Sequence, residues 1–370
     1  MKQHPEIKFQ QSKPYTLGVE IEFQVLDKNT LNLAPLAPEI LDMVPAELKD
    51  RIKHEFIRSM IEVNTDICES VQQVKTNLAE MSQQAERLAR DNGCLLYAAS
   101  LHPFANHQDQ ILSPDPRYSR IINDLQLVGR HFIAQGLHIH VGMSDPETAV
   151  LVRDNILTYI PILLALTTSS PFYEGIDTGL SSYRTKLFEA LPLAGMPDQI
   201  GSWEKYLHMV NLLINTGIIN EVRDLWWDVR LHPDFGTVEI RICDLPSRFM
   251  DILAIVALIQ ALVATLAESE AHLIPDMQIV KSNKWQAARY GLHGRFVNPL
   301  TQCNISMLEA ATDMFEMTAP KISKFETNHF ITPLLYILEN GTSADLQRKI
   351  YQETGDFSAI IKEILPRFWQ

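Results

Sequence analysis

Cysteine is scarce in this chain of 370 residues, where only Cys68, Cys94, Cys243 and Cys303 occur. None of them forms a CxxC pair, and no histidine cluster accompanies them at the spacing of a zinc finger. The pattern predicts reduced, mostly buried thiols in a cytoplasmic protein. The polar N-terminal stretch has no apolar segment of its own, so we expect no signal peptide.

Positive charge is also in deficit, because 45 Asp and Glu residues outnumber 32 Lys and Arg residues and give a formal net charge of -13. Nucleic acid is bound by basic surfaces, so this balance argues against a nucleic-acid partner. It does not argue against nucleotides, which a divalent cation can bridge to carboxylates.

Long apolar runs are missing as well. The most apolar stretch, residues 252–267, is short for a membrane span and contains Gln260, so it predicts a buried helix and no membrane partner. No low-complexity segment, Ser/Gly linker or fixed-period repeat divides the chain. We predict one domain over residues 1–370, with strands within 15–245 and a mostly helical part over 250–370.

Local patterns predict the elements of that domain. Strand-like runs occupy residues 15–25, 94–99, 137–143, 225–231 and 237–243. Caps and apolar stripes predict helices over 70–93, from 145 with a bend near Pro161, and over 203–216, 251–268, 305–318, 327–339 and 344–353. The loop 232–236 contains Pro and Gly, so the last two strands are expected to form an antiparallel hairpin.

The first strand carries the sequence GVEIEF at residues 18–23. Side chains alternate along a strand, so Glu20 and Glu22 share one face, about 7 Å apart, while Val19, Ile21 and Phe23 share the other. This spacing is too wide for one shared proton and suits carboxylates that each hold a cation. The alternative is a half-buried strand whose acidic face meets water.

Other strands repeat this arrangement. His138 and His140 share one face of the run 137–141, and Glu239 and Arg241 share one face of the run 237–242. The remaining polar-face residues are Asp228, Arg230, Glu62 and Asn64. Lysine is absent from all these faces. Carboxylates with imidazole predict a site for a hard divalent cation, Mg or Mn, and the interleaved arginines predict an anionic substrate beside it.

Six motifs together resemble the type 2 glutamate–cysteine ligase family, also called YbdK-like carboxylate–amine ligases. The resemblance extends from about Tyr15 to the C-terminal helices. The motifs are YTLGVEIEFQVLD, MIEVNT, GLHIHVGM, SSPFYEGIDTGLSSYR, WWDVRLHPDFGTVEIRICDLP and NKWQAARYGL.

The family is similar in fold to glutamine synthetase. This resemblance implies an α+β fold in which a curved antiparallel sheet, shaped as a saddle or half-funnel, has helices packed on its outer face. It also implies ATP and Mg in the cleft, a cytoplasmic homodimer, and a ligase that joins the γ-carboxylate of L-glutamate to an amine such as L-cysteine through an acyl phosphate.

The resemblance also implies roles for residues. Glu20, His138 and Glu239 correspond to ligands of one metal ion that binds the ATP phosphates. Glu22 and Glu62 correspond to ligands of a second ion nearer the substrate carboxylate.

Four further residues are implied to act on anions. His140 is placed for the phosphates, and Arg241 for stabilising the transferred phosphoryl group. Arg184 is implied to contact a substrate carboxylate or phosphate, and Arg230, with Asp228, is a further candidate for the same cleft. The segment after Arg184, TKLFEALPLAG, departs from the family pattern where selectivity for the amine could be set.

Two other enzyme classes fit the charged faces. A guanidino kinase-like phosphoryl-transfer enzyme would use an arginine-rich cleft with fewer metal carboxylates. A metal-dependent amide hydrolase would need only the carboxylates and histidines. Dependence on ATP separates the hydrolase from the other two classes, and ADP release that requires an amine separates the ligase from the kinase.

Overall fold

The computed structural model describes residues 7–269 and 271–370. The strands of this part of the chain are β1 Leu17–Asp27, β2 Ile52–His54, β3 Met60–Asn64, β4 Cys94–Tyr97, β5 Leu137–Gly142, β6 Phe172–Tyr173, β7 Ile176–Asp177, β8 Ala194–Gly195, β9 Trp226–Trp227, β10 Val229–His232, β11 Thr237–Ile240, β12 Arg295–Val297 and β13 Asn304–Ser306.

The α-helices of the same part are α1 Ala37–Asp42, α2 Val71–Asp91, α3 Pro116–Leu125, α4 Leu127–Arg130, α5 Pro146–Asn155, α6 Ile160–Thr167, α7 Arg184–Glu189, α8 Trp203–Asn215, α9 Phe249–Glu268, α10 Met277–Tyr290, α11 Met307–Lys324, α12 Asn328–Asn340, α13 Ser343–Thr354 and α14 Phe357–Ile364.

The helix starts follow from side-chain capping. Ser70 accepts a hydrogen bond from the Gln73 amide at the start of α2, and Asp145 accepts one from the Thr148 amide at the start of α5. Each cap satisfies a backbone donor that has no partner within the helix. The predicted bend is confirmed, because α5 with its following turn and α6 lie at 62° to each other, with the break just before Pro161.

Seven strands form one antiparallel sheet in the order β10-β11-β5-β1-β3-β2, and β4 pairs with the C-terminal half of β1. The predicted hairpin is confirmed for β10 and β11, in which Arg230 lies opposite Glu239. In the middle of the sheet Glu20 lies opposite both His138 and Asn64, and Glu22 lies opposite Glu62. The register therefore brings the charged and imidazole side chains of five neighbouring strands, from β10 to β3, side by side.

The two faces of the sheet differ as the alternation predicts. Val19, Ile21 and Phe23 are at most 1% exposed and belong to the main hydrophobic core. Helix α2 packs on β1 and β3, α5 on β10 and β11, and α9 on β5. Helix α9 has the length and hydropathy of a membrane-spanning helix, but 89% of its apolar window is buried, as predicted. An antiparallel sheet with helices on one face confirms the predicted α+β class.

The predicted strand 225–231 is wrong as a single element. Trp226–Trp227 pairs in parallel with Ala194–Gly195, and the chain joins the main sheet only at Val229, where β10 begins. The carbonyl oxygen of Asp228 accepts from the amides of both Arg241 and Ile242, so two residues of one strand oppose one of the other. This bulge interrupts the alternation on which the prediction depended.

Candidate active site

A cavity of about 910 Å³ opens on the polar face of the sheet. Helices α3 and α7 and the loop before β9 contribute to its other walls. The predicted site residues that line it are Glu20, Glu22, Glu62, His138, His140, Arg230, Glu239 and Arg241. The structure thus brings the predicted site residues together except for Arg184 and the further candidate Asp228.

The first group of potential metal ligands consists of Glu20, His140 and Glu239, which we call the His140 cluster. The Nε2 atom of His140 lies 3.4 Å from Glu20 Oε1 and 3.8 Å from Glu239 Oε1. Its Nδ1 atom lies 3.0 Å from the Thr237 hydroxyl oxygen, which fixes the orientation of the ring. One ligand atom from each residue lies within 4.8 Å of the other two, so one cation could contact all three.

Two arginines flank this cluster. Arg230 donates from Nε to Glu239 Oε2 at 2.8 Å and from Nη2 to Oε1 at 3.1 Å, and Arg241 Nη1 donates to Oε1 at 2.5 Å. Burial would raise the pKa of Glu239, but the two guanidinium groups hold that pKa well below its usual range. Burial would lower the pKa of His140, but Glu239 and then Glu20 raise it.

The second group consists of Glu22, Glu55 and Glu62, which we call the Glu22 cluster. The Gly136 amide donates to Glu22 Oε2 at 2.7 Å, and Asn64 donates to Glu62 Oε1 at 2.7 Å. Burial and then the charge of Glu62 raise the pKa of Glu22 to about 8. Burial and neighbouring carboxylates also raise the pKa values of Glu55 and Glu62. Such a concentration of carboxylate oxygens suits a hard divalent cation.

His138 lies between the two clusters. Its Nδ1 atom is 3.2 Å from Glu20 Oε2 and 4.0 Å from Glu22 Oε1, while its buried Nε2 atom has no hydrogen-bond partner in the described residues. Burial and then Arg241 lower the pKa of His138 to about 4, which keeps the imidazole neutral. Both histidines therefore lie near Glu20, whereas His140 is the one that lies 3.8 Å from Glu239, and the implied grouping of Glu20, His138 and Glu239 stays a prediction beside the His140 cluster. The sheet register explains the short distance between His140 and Glu239, because these two residues lie opposite each other.

Arg184 is one of the two predicted residues that do not line the cavity. Its side chain is 2% exposed, and it donates from Nη1 to the Ile242 carbonyl at 3.1 Å and from Nη2 to the Arg241 carbonyl at 3.2 Å. Asp244 lies 3.8 Å away and balances its charge. A side chain at Gly136 would collide with this guanidinium group. In the structure Arg184 supports the backbone that carries Arg241, and its implied contact with a substrate stays a prediction.

Asp228, the further candidate for the cleft, lies outside the cavity as well. Its carboxylate lies 2.6 Å from the Nζ atom of the buried Lys284, and Glu189 lies 2.8 Å from the same ammonium group. It is not among the residues that line the cavity, and its carboxylate pairs with Lys284 instead. Burial raises the pKa of Asp228 even beside Lys284.

Sequence reasoning missed several lining residues. Glu55 directly follows β2, whose three residues are too few to show alternation. Arg117, Tyr118 and Arg120 lie on α3, and the start of this helix could have been predicted from the sequence. Asp115 and Pro116 form a capping start, and Asp115 accepts a hydrogen bond from the Arg117 amide.

The sequence and the fold are similar to those of known ligases. The family described as "Glutamate-cysteine ligase family 2(GCS2)" matches residues 16–363. Two relatives are named "Putative glutamate--cysteine ligase 2". The one from Solibacter usitatus is 36% identical over 351 residues, 94% of this chain and 91% of its own length. The one from Gloeobacter violaceus is 36% identical over 367 residues, 97% of this chain and 98% of its own length.

Two solved structures share the fold. Glutamate–cysteine ligase from Francisella tularensis, solved in complex with AMP, has a TM-score of 0.70 and 13% identity, with 97% of this chain and 90% of that chain covered. A bifunctional glutathione synthetase from Pasteurella multocida has a TM-score of 0.69 and 14% identity, with 96% of this chain and 52% of that chain covered. The predicted ligase fold and the predicted enzyme class are confirmed. This chain belongs to glutamate–cysteine ligase family 2.

Proposed function

We propose that this ligase uses ATP to join the γ-carboxylate of L-glutamate to an amine. One observation carries the proposal: two groups of metal ligands and two arginines line a single cavity on the sheet of a family member. The names of the relatives support glutamate as the acid and cysteine as one acceptor. The AMP complex of the Francisella enzyme supports a nucleotide as the second substrate.

The residues present fit two divalent cations, Mg²⁺ or Mn²⁺. The His140 cluster offers two carboxylates and one imidazole, and the Glu22 cluster offers three carboxylates. In the Glu22 cluster the packed carboxylates have raised pKa values, which is the electrostatic signature of a place where a cation would be stabilising. When bound, such cations neutralise phosphate charge and orient the phosphoryl group.

The reaction that we propose has two steps. The γ-carboxylate of glutamate attacks the γ-phosphorus of ATP, so that a carboxyl oxygen–phosphorus bond forms and ADP leaves. The amine then attacks the acyl carbon of this acyl phosphate, and inorganic phosphate leaves as the amide forms. The barrier is lowered mainly by alignment of the reactants and by stabilisation of charge on the phosphoryl group.

Arg241 is the residue that we assign to the charge on the phosphoryl group, and His140 would act through the cation that its Nε2 atom helps to hold. The Nε atom of Arg241 is buried and has no hydrogen-bond partner among the described residues, so this donor is available to an oxygen of the substrate. Glu239 holds the other end of the guanidinium group in a fixed orientation. Arg230 holds Glu239 from the opposite side and supports the nucleotide-binding end of the cavity.

The test measures ADP release from ATP, Mg²⁺ and L-glutamate with and without a panel of amines that includes L-cysteine. We expect release that requires both the acid and an amine, with mass spectrometry showing the γ-glutamyl amide. Release without any amine would favour a phosphoryl-transfer enzyme. Amide cleavage without ATP would favour a hydrolase.

The stability of the cation-free protein and the affinity of the Glu22 cluster for a cation should both depend on pH. Without a cation, the free energy of unfolding is expected to fall as the pH rises from 4.5, the ordinary pKa of a glutamate, to about 8, the pKa of Glu22 in the folded chain. The folded state holds the proton more tightly than the unfolded chain in this window, so it loses stability as the proton leaves. A bound cation replaces that proton, and its affinity should rise about tenfold per pH unit in the same window.

Calorimetric titration with Mg²⁺ or Mn²⁺ at several pH values measures this dependence directly. Buffers with different heats of ionisation report the number of protons released. The Glu22→Gln variant provides the control, because it lacks one of the titrating carboxylates of the cluster and should show a smaller pH slope. An affinity that is constant across the window in the unsubstituted protein would contradict the prediction.

The one-domain organisation and the homodimer stay proposals. One continuous hydrophobic core that includes both Leu17 and Phe368 supports the single domain. The homodimer and the cytoplasmic location are supported by the resemblance and the composition.

A further inference from the structure

One side of the cavity is apolar, although the sheet that forms its floor is charged. Five side chains from three segments make this surface, which we call the apolar wall: Ile121, Leu125, Phe132, Phe188 and Leu191. The rings of Phe132 and Phe188 meet edge to face with 4.4 Å between their centroids. Neither the metal clusters nor the arginines account for this surface.

The apolar wall adjoins the Glu22 cluster. Phe132 begins a short segment that continues through Ala134, which also lines the cavity, to Gly136, whose amide donates to Glu22. The ring of Phe56, the residue after Glu55, contacts Phe132 with 6.1 Å between their centroids. A substrate group that lies on the wall is therefore next to the carboxylates proposed to hold the cation near the substrate.

Arg184 connects the wall to the arginine that faces the phosphoryl group. Its Cζ atom lies 4.6 Å from the centroid of the Phe188 ring, while its guanidinium group holds the carbonyls of Arg241 and Ile242. Helix α7 begins at Arg184 and carries Phe188 one turn later. The position of the wall is thus tied to the position of Arg241.

Two arginines of α3 that line the cavity, Arg117 and Arg120, lie close to acidic side chains that balance their charge. The Nη2 atoms of Arg117 and Arg120 both lie 3.6 Å from Asp224 Oδ1, and Arg117 Nε lies 3.9 Å from Glu221. Because these two arginines and the wall residues Ile121 and Leu125 lie on the same helix, α3 changes from charged to apolar along the cavity. The wall itself offers a substrate contact area without charge.

Resting on the proposed ligase function, we propose that the acceptor is an amine with an apolar group larger than the side chain of cysteine, either branched aliphatic or aromatic. A cysteine side chain has two heavy atoms, which cannot cover five large apolar side chains. Uncovered apolar surface is unfavourable, and each additional buried methylene of a substrate raises discrimination by about tenfold or more. Two of the five wall residues, Phe188 and Leu191, lie in the segment that follows Arg184.

The experiment compares kcat/KM for amine-dependent ADP release with L-phenylalanine, L-leucine, L-cysteine, L-serine, L-aspartate and L-lysine, at saturating ATP, Mg²⁺ and L-glutamate. We expect phenylalanine or leucine to exceed cysteine and serine by about tenfold or more. Preference for cysteine, serine or a charged amine would overturn the inference and leave the ligase proposal intact. Absence of amine-dependent release with every amine would reject both.

A matched pair of variants tests the wall itself. Leu125→Ser places a hydroxyl on the wall, and we expect kcat/KM for the apolar amine to fall about tenfold while that for serine is retained. Leu127→Ser is the control, because Leu127 is two residues away, 63% exposed and not among the lining residues. An equal loss for all amines in Leu125→Ser, or the same loss in the control, would contradict a role in acceptor selection.

Discussion

Replacing Arg241 with alanine is expected to lower kcat for amine-dependent ADP release by about 10²–10³-fold. The guanidinium group is positioned before the substrate arrives, because Glu239 binds it at 2.5 Å and the carbonyl of Asp228 binds its backbone amide at 2.8 Å. A preorganised donor stabilises charge that develops in the transition state without reorganising at that moment. Steady-state kinetics with saturating substrates measure the loss.

Two variants control for other effects of the Arg241 substitution. Arg241→Lys keeps the charge beside Glu239 but lacks the planar guanidinium group. Relative to Arg241→Ala, it should therefore restore the free energy of unfolding more fully than it restores kcat. Arg90→Ala removes an exposed arginine of α2 and is expected to keep kcat within about twofold, since its ion pair with Glu86 is on the surface. An Arg241→Ala enzyme that kept more than about a tenth of kcat would contradict the assigned role.

The largest expected change in stability comes from Glu239→Gln. This carboxylate is 1% exposed and accepts from both Arg230 and Arg241, so the amide would leave two buried guanidinium groups without their nearest counter-charge. Breaking a buried ion pair on one side destabilises proteins by about 3–5 kcal/mol. We expect a loss of that size in the free energy of unfolding, measured by urea denaturation in the absence of divalent cations.

The matched control for that experiment is Glu221→Gln at the mouth of the same cavity. Its carboxylate is 38% exposed and pairs with Arg223 at 2.9 Å. Water screens such a pair, so the loss should be below about 1 kcal/mol. Equal losses in the two variants would show that Glu239 does not carry the electrostatic balance of the buried arginines.

Three positions show which features of the site the sequence pattern could predict and which it could not. Period-two alternation predicted correctly that Glu20 and Glu22 point away from the core, because successive side chains of a strand take opposite faces. The same rule failed at Asp228, where a bulge places two residues opposite one. The rule made no prediction for Glu55, because this residue follows a strand of only three residues, too short to show alternation.

The sequence by itself determined the family, the α+β class and the set of charged faces, because these depend on local patterns and on motifs that occur in order along the chain. Only the tertiary structure decided which of the two histidines meets Glu239, that Glu55 completes the second cluster, and that Arg184 supports the backbone that carries Arg241. These facts depend on the register between strands and on packing between distant segments. The hydrophobic pattern of a strand decides which face it buries, but which residues meet across two strands also depends on the turn or crossover between them, and here the strands come from distant parts of the chain.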